Sequence, residues 1–350
     1  MELRLRQRGT QAGAVAQAAV IARLKIQSNM SIAEHRIPQD GRIQTLVGNK
    51  TIDLRVSCLP TNHGESIVMR ILDKEGLKLG LAELGFFSDD QQTFERLIGL
   101  PDGIILVTGP TGSGKSTTLY ATLNVVNRPE VNIITVEDPV EYRLPGVNQV
   151  QVNNKAGLSF AAALRSILRS DPDIVLIGEI RDHETAQIAV ESALTGHLVL
   201  STLHTNDAPS AVTRLIEMGI EPFLVGSSLD CVLAQRLARR LCPKCKQTYQ
   251  PSREALRAAG LPIEDGHEIP KIYRPVGCSV CSRTGYKGRV ALHEVLPITE
   301  RIERLAVERA PSAAIATAGR EEGMQTLKQD GLAKVLAGVT SLDEVLRVVV

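Results

Sequence analysis

Residues Gly109–Ser116 read Gly-Pro-Thr-Gly-Ser-Gly-Lys-Ser, the Gly-x-x-x-x-Gly-Lys-Ser pattern of a phosphate-binding loop. The apolar run Gly103-Ile-Ile-Leu-Val-Thr108 precedes it and the helix-like Thr117-Thr-Leu-Tyr-Ala-Thr-Leu123 follows. Strand, Gly-rich loop and helix in that order give the pattern a mechanism. Glycines let backbone N–H groups turn inward around phosphates, and the helix N-terminus adds its positive dipole. The cradle comprises Gly109, Pro110, Thr111, Gly112, Ser113, Gly114 and Thr117. Lys115 is expected to reach the β/γ-phosphates and Ser116 to ligate Mg²⁺. An ordinary Gly-rich turn is the bland alternative, and the flanks count against it. The stretch predicts binding of a nucleoside triphosphate.

Outward from the loop, short apolar strands alternate with helical segments. Strands are expected at Ile104–Thr108, Asn132–Val136, Ile174–Gly178 and Leu198–Thr202, with helices at Lys115–Val126, Ser159–Ser170, Glu184–Thr195 and Ala208–Glu217. That alternation predicts an α/β fold with a parallel sheet covered on both faces, the loop lying at a carboxyl end of the strands. Upstream, residues 1–72 read as a small α+β region. Met1–Gln7 has strand alternation, Gln11–Ile26 is Ala-rich and helix-like, and Ile43–Val47 and Thr51–Val56 flank a Gly48-Asn49 hairpin signal. Ser66–Leu72 is a further strand, Asp73–Gly80 a connector and Asp89–Ile98 a helix. A mostly helical tail closes the chain, with Ser341-Leu-Asp-Glu344 as a capping box.

Composition narrows the function classes. The 350 residues carry a net charge of +1 and only 3% aromatics with no Trp, so neither a basic field nor stacking platforms for nucleic acid are evident. No apolar stretch approaches the ~20 residues of a membrane span, and the N-terminus lacks a signal-peptide core. A cytosolic protein is expected.

Two acidic segments follow the loop. Ile133-Ile-Thr-Val-Glu-Asp-Pro-Val-Glu141 brings three carboxylates to a strand end, and Asp171-Pro-Asp-Ile-Val-Leu-Ile-Gly-Glu179 is an apolar strand ending in Gly-Glu. Phosphoryl transfer to water needs one acid near Mg²⁺ and one to orient or deprotonate the water. Glu137 and Glu179 supply both. A third strand is bracketed by His197 and His204, and both are expected to reach the γ-phosphate side, as sensors rather than proton carriers.

Cys242-Pro-Lys-Cys245 and Cys278-Ser-Val-Cys281 form two CxxC pairs. In a chain without export signals these read as a metal site, and four thiolates make a closed structural Zn²⁺ site. The spacer exceeds the 15–20 residues of common zinc ribbons, so an excursion lies within it.

The phosphate loop, the Glu-Asp-Pro segment, the Gly-Glu-Ile-Arg-Asp segment and the Gly-His…Leu-His-Thr box together resemble the type II secretion and type IV pilus assembly ATPases, from about Ile32 to Val350. In that family the four are the Walker A, Asp, Walker B and His boxes. The resemblance implies a RecA-like P-loop NTPase core in a homo-hexamer, with ATP and Mg²⁺ held between a small N-terminal α+β domain and the core. It implies a motor that powers pilus or pseudopilus assembly. The expected partner is an inner-membrane platform protein, the expected place the cytoplasmic face of the inner membrane, and no nucleic acid is expected. Glu137 matches the acidic-box glutamate and Glu179 the Walker B glutamate; which of them is the base stays open. Arg55 and Arg70 fall on arginines that reach toward the phosphates, and Arg165, Arg169 and Arg181 on arginines of the site or subunit interface. The cysteines match the family's tetracysteine module, which argues against the retraction and conjugative relatives. The implied domains are 1–78 (partial second N-terminal domain), 79–240 (core), 241–290 (zinc module) and 291–350 (helical). A further N-terminal domain and a Ser-Asp-Ile-His-Ile segment usual in relatives are missing from the sequence. The chain is therefore expected to begin inside the second domain, as a fragment, a truncated product or a reduced paralogue. Two rival readings are a RecA-like nucleic-acid motor and an inactive truncated scaffold.

Overall fold

Apolar runs four to six residues long, flanked by helical crossovers, have to bury both faces, and a parallel sheet between helix layers does so. A computed structural model describes residues 2–3, 12–48, 50–72, 80–261 and 268–349. The chain divides into two units, Met1–Leu77 and Lys78–Val350.

In the first unit, β1 (Glu2–Leu3), α1 (Ala12–Gln27), β2 (Gln39–Val47), β3 (Lys50–Thr61) and β4 (Gly64–Leu72) follow in order. The strands form an antiparallel sheet ordered β1-β4-β3-β2. Val56 and Cys58 on one face of β3 bury with Met30 and Ile43, the alternation expected of a sheet covered on one side. Lys25 is buried, donates to the Glu34 carbonyl at 2.7 Å and pairs with Glu65. The predicted hairpin strands lie inside longer ones. Arg4–Gln7, Gln11, Asn49 and residues 73–79 of the predicted connector lie outside the described residues.

The second unit opens with α2 (Leu81–Leu84) and α3 (Ser88–Leu97) and continues β5 (Gly103–Thr108), α4 (Lys115–Val126), β6 (Ile133–Glu137), β7 (Asn148–Gln151), α5 (Phe160–Ile167), β8 (Ile174–Ile177), α6 (His183–Leu194), β9 (Leu198–Leu203), α7 (Pro209–Glu217) and α8 (Pro222–Ser228). Next come β10 (Leu229–Leu241), β11 (Gln247–Tyr249), α9 (Arg253–Ala259), β12 (Ile272–Arg274), β13 (Tyr286–Pro297), α10 (Glu300–Val307), α11 (Ser312–Glu321), α12 (Leu327–Leu336) and α13 (Leu342–Val348). The large sheet runs β13-β10-β5-β9-β8-β6-β7. All its neighbours are parallel except β10 and β13. Every residue of β5, β6, β8 and β9 is buried. The α/β class with a phosphate-loop core is therefore the fold of the chain.

The four predicted core strands and their helices lie where the apolar pattern puts them, shifted by at most a few residues at the ends. Ser159 and Asp182 cap α5 and α6 by accepting from Ala162 N and Thr185 N. Three strands of the large sheet, β7, β10 and β13, were not predicted, nor were β11 and β12 of the small one. β10 reads Leu-Asp-Cys-Val-Leu-Ala-Gln-Arg-Leu-Ala-Arg-Arg-Leu, rich in helix formers and without a period of two. Its pairing with β5 on one side and β13 on the other overrides that propensity. β13 corrects the expectation of a helical tail from residue 291, since strand continues to Pro297. The predicted capping box is half realised. Ser341 accepts from Glu344 N, but the Glu344 carboxylate binds Arg239 and Arg347 instead of turning back.

Candidate nucleotide site and tetracysteine cluster

The loop closes β5 onto α4 with Gly112 at φ +82° and Gly114 at φ +94°, left-handed backbone that glycine enters without penalty. Thr118 N is the first amide of α4 to bond back, to Gly114 O at 3.1 Å. The N–H groups of Lys115, Ser116 and Thr117 precede it and have no partner within the helix, the usual basis of an anion site. Lys115 folds into the loop, its Nζ donating to Gly109 O at 2.8 Å and Pro110 O at 3.2 Å. Burial pushes its pKa down, and the nearby Glu179 carboxylate pulls it up. The buried Ser113 Oγ has no hydrogen-bond partner among the described residues. Donors without protein acceptors around a buried ammonium suit an anion.

Glu137 ends β6 beside the exit of β8. Gly178 N donates to Val136 O at 2.8 Å, and a Cβ on Gly178 would lie 3.3 Å from the Glu137 Cα. The buried Glu137 carboxylate receives three donors: the Tyr120 hydroxyl, Thr135 Oγ1 at 2.7 Å and Gln149 Nε2 at 3.1 Å. Glu179, just past β8, pairs with Arg181 at 2.6 Å and faces His204 Nε2 at 3.3 Å. β9 delivers His204, and its neighbour Thr205 ties back to the loop strand through Thr108 Oγ1 at 2.7 Å. Loop, Glu137, Glu179 and His204 thus all stand at the carboxyl ends of adjacent parallel strands.

His197 does not join them. It precedes β9, where its carbonyl accepts from Gly103 N at the start of β5 and its Nδ1 lies 2.9 Å from Ser192 O. Six strand residues at ~3.3 Å each put it about 20 Å from the His204 end. The expectation that both histidines reach the phosphate side is corrected for this chain: bracketing a strand separates two residues by its length. Arg165 on α5 pairs with Glu184, and Arg169, just past the end of α5, donates to Arg165 O; both arginines are exposed. Arg55 and Arg70 belong to the first unit, directly opposite each other on β3 and β4.

Four further residues of the cluster went unread in the sequence. Tyr120, one turn into α4, and Gln149 on β7 hold Glu137; the helical pattern places Tyr120 but does not name its hydroxyl's partner. Gln235 and Arg236 lie on β10. Arg236 donates to Asn206 O at 3.0 Å, and its Nη1 stands 3.2 Å from where a Gly109 Cβ would be. With β10 itself unrecognised, neither had a signal.

At the far end of β10, Leu241 pairs with Tyr286 on β13, and the chain between them makes a long excursion. Cys242, Cys245, Cys278 and Cys281 gather at its base with all four sulfurs within 4.8 Å of one another. The separations Cys242–Cys278, Cys245–Cys281 and Cys278–Cys281 are 3.9, 3.8 and 3.7 Å. A tetrahedron with Zn–S arms of ~2.3 Å has edges of about 3.8 Å. Backbone donors already face the sulfurs: Gly277 N to Cys245, and Cys278 N and Gly285 N to Cys281, at 3.2–3.3 Å. Desolvation pushes the Cys281 thiol up, but the Cys278 and Gly285 N–H groups, together with the Cys245 and Cys278 thiols, outweigh it and bring it to about 6, while burial pushes the Cys245 thiol up to about 11. Cys281 thus already favours the thiolate a metal needs.

The family model described as "Type II/IV secretion system protein" matches residues 3–347. The chain belongs to that family. It is 52% identical over 333 residues to the putative type II secretion system protein E of Escherichia coli K12, covering 95% of this chain and 66% of the relative. It is 52% identical over 329 residues to the type IV pilus assembly ATPase PilB of Myxococcus xanthus, covering 93% and 58%. Among solved structures, the ADP-bound pilus retraction motor PilT superposes with a TM-score of 0.65 at 27% identity, over 89% of this chain and 77% of that one. The chain thus spans about two thirds or less of the length of these curated relatives.

Proposed function

We propose that this chain is the ATP-hydrolysing part of a hexameric motor that powers assembly of a pilus or pseudopilus. The observation that carries the reading is the convergence of the phosphate loop, Glu137, Glu179 and His204 on one edge of the parallel sheet. In this reading Gly109–Thr117 cradle the phosphates, Lys115 neutralises the β/γ-phosphates and Ser116 holds Mg²⁺. Glu137 and Glu179 divide water activation and the metal shell between them. The three donors on Glu137 support a fixed carboxylate, while Glu179, between Arg181 and His204, is the one whose partners can exchange. Arg55 and Arg70 are the proposed cations for developing phosphoryl charge, supported by the sequence resemblance. Zn²⁺ in the four-cysteine cluster is structural, because a closed thiolate shell leaves no open position. The expected partner is an inner-membrane platform protein at the cytoplasmic face. No helix among the described residues is long and apolar enough to cross a membrane, which fits a peripheral association.

The test is ATP turnover per subunit against protein concentration, with Lys115→Ala as control. Turnover that rises with concentration and vanishes in the variant supports an assembling motor. Turnover that Lys115→Ala leaves intact would remove the phosphate loop from the reaction.

A further inference from the structure

β10 lies beside the loop strand, with Ala234 opposite Thr108. The next residue, Gln235, is 1% exposed, and its amide makes two bonds to the loop segment. Nε2 donates to Ser113 O at 2.9 Å, and Oε1 accepts from Thr118 Oγ1 at 2.6 Å. The orientation follows from the partners, since a carbonyl oxygen only accepts and the amide end facing it must be the donor. One buried side chain therefore grips both the peptide before Gly114 and the first turn of α4.

A planar trans peptide carries its C=O and N–H on opposite sides. With the Ser113 carbonyl held against Gln235, the Gly114 N–H is turned the other way. A flipped peptide would present an oxygen where an anion needs a donor. Gly114, at φ +94°, has no Cβ to oppose such a flip. A Cβ there would sit 2.7 Å from Gln235 Nε2, and one on Gly109 only 2.4 Å from the Gln235 carbonyl oxygen. Both glycines are fitted against the same residue.

We infer that Gln235 is a positioning residue of the phosphate loop: it fixes the Ser113–Gly114 peptide with its N–H available to the phosphates of a nucleoside di- or triphosphate. The inference rests on the nucleotide-binding reading above. Gln235→Glu tests it closely. The carboxylate keeps the shape and the acceptor for Thr118 but sets an oxygen against Ser113 O. Gln235→Met fills similar space and makes neither bond. Thr118→Val removes one bond and leaves the Ser113 peptide held.

The measurements are the Kd of MgADP by calorimetry, kcat and KM for ATP, and thermal melting of each variant. Gln235→Glu is expected to weaken MgADP by about tenfold or more, as for the loss of a donor to a charged ligand. Gln235→Met should fall between it and wild type, and Thr118→Val within about threefold of wild type. KM should rise more than kcat falls. A folded Gln235→Glu or Gln235→Met chain that binds MgADP like wild type would overturn the inference. So would an equal loss in Thr118→Val, which would make the effect one of packing. Failure of the wild-type chain to bind MgADP would overturn the nucleotide reading and this inference with it.

Discussion

The Tyr120 hydroxyl donates to the Glu137 carboxylate while accepting the backbone N–H groups of Glu141 and Tyr142, at 3.2 and 3.5 Å. Burial, and then the adjacent carboxylate, push the phenol's pKa up, so it stays a donor at any working pH. The helix that follows the phosphate loop is thereby joined through one oxygen to the acidic segment on β6.

Tyr120→Phe keeps the ring and removes that oxygen. Glu137 keeps Thr135 and Gln149 but loses its third donor, and the Glu141–Tyr142 backbone is released. We expect kcat for ATP to drop about ten- to a hundredfold, the scale of a misplaced reacting group, with MgADP affinity within about twofold. Steady-state turnover beside calorimetric binding reads both. An unchanged kcat would leave Tyr120 with a packing role only.

Metal analysis should find one Zn²⁺ per chain, lost on chelation or in Cys278→Ser. Structural zinc contributes on the order of 10 kcal/mol to isolated peptides, so its loss should open residues between the cysteine pairs to proteolysis. The large sheet should survive, since β10 and β13 remain paired along their length. A stoichiometric metal other than zinc, or a protease-resistant excursion after chelation, would contradict this.

His293 on β13 is fully buried and stacks on Phe86 at 3.7 Å, and neither ring nitrogen has a partner among the described residues. Burial, and then the Lys334 ammonium, hold its pKa well below the usual imidazole value. The unfolded chain takes up a proton below about pH 6.5 that the folded one refuses, so stability falls with acidification from there toward the folded pKa. The slope due to this group reaches at most about 1.4 kcal/mol per pH unit. Denaturant unfolding between pH 5 and 8 should show it, and His293→Phe should flatten it. An equal slope in the variant would assign the acid sensitivity elsewhere.

Lys334 and Asp330, one turn apart on α12, are both buried and 2.6 Å apart, and Lys334 also donates to Ala291 O at 2.8 Å. Lys334→Met strands the carboxylate and should cost about 3–5 kcal/mol. The double variant Lys334→Met with Asp330→Leu should recover part of that loss, because no buried charge is left. Equilibrium unfolding of the pair decides it; additive losses would mean the two charges do not depend on each other.

What the sequence made legible follows the strength of local pattern. β5, β6, β8 and β9 are continuous apolar runs between turn residues, and the loop, acids and cysteines are spaced by chemistry. Gln235 and Tyr120 were out of reach for different reasons. Gln235 sits in a strand spelled in helix-forming residues, and only pairing with sequence-distant β5 and β13 makes it a strand. Tyr120 looked like one more apolar position of α4, because periodicity reports burial and is silent on where a hydroxyl finds its partner. His197 erred in the opposite direction, where adjacency to a motif stood in for adjacency in space.

The pairing of Leu241 with Tyr286 at the foot of the cysteine cluster bears on how freely this fold can change. Two strands and four thiolates meet at one neck, so the ends of the polypeptide beyond it are held in place whatever its length. Closing a flexible loop costs only ~0.6 kcal/mol more for each doubling of length. Insertions in the turns of residues 246–277 should therefore cost the sheet little, whereas Leu256, Ala259 and Ile272, buried with Leu332, Val335, Leu342 and Val345 of α12 and α13, mark the part of the excursion that any exchange has to keep.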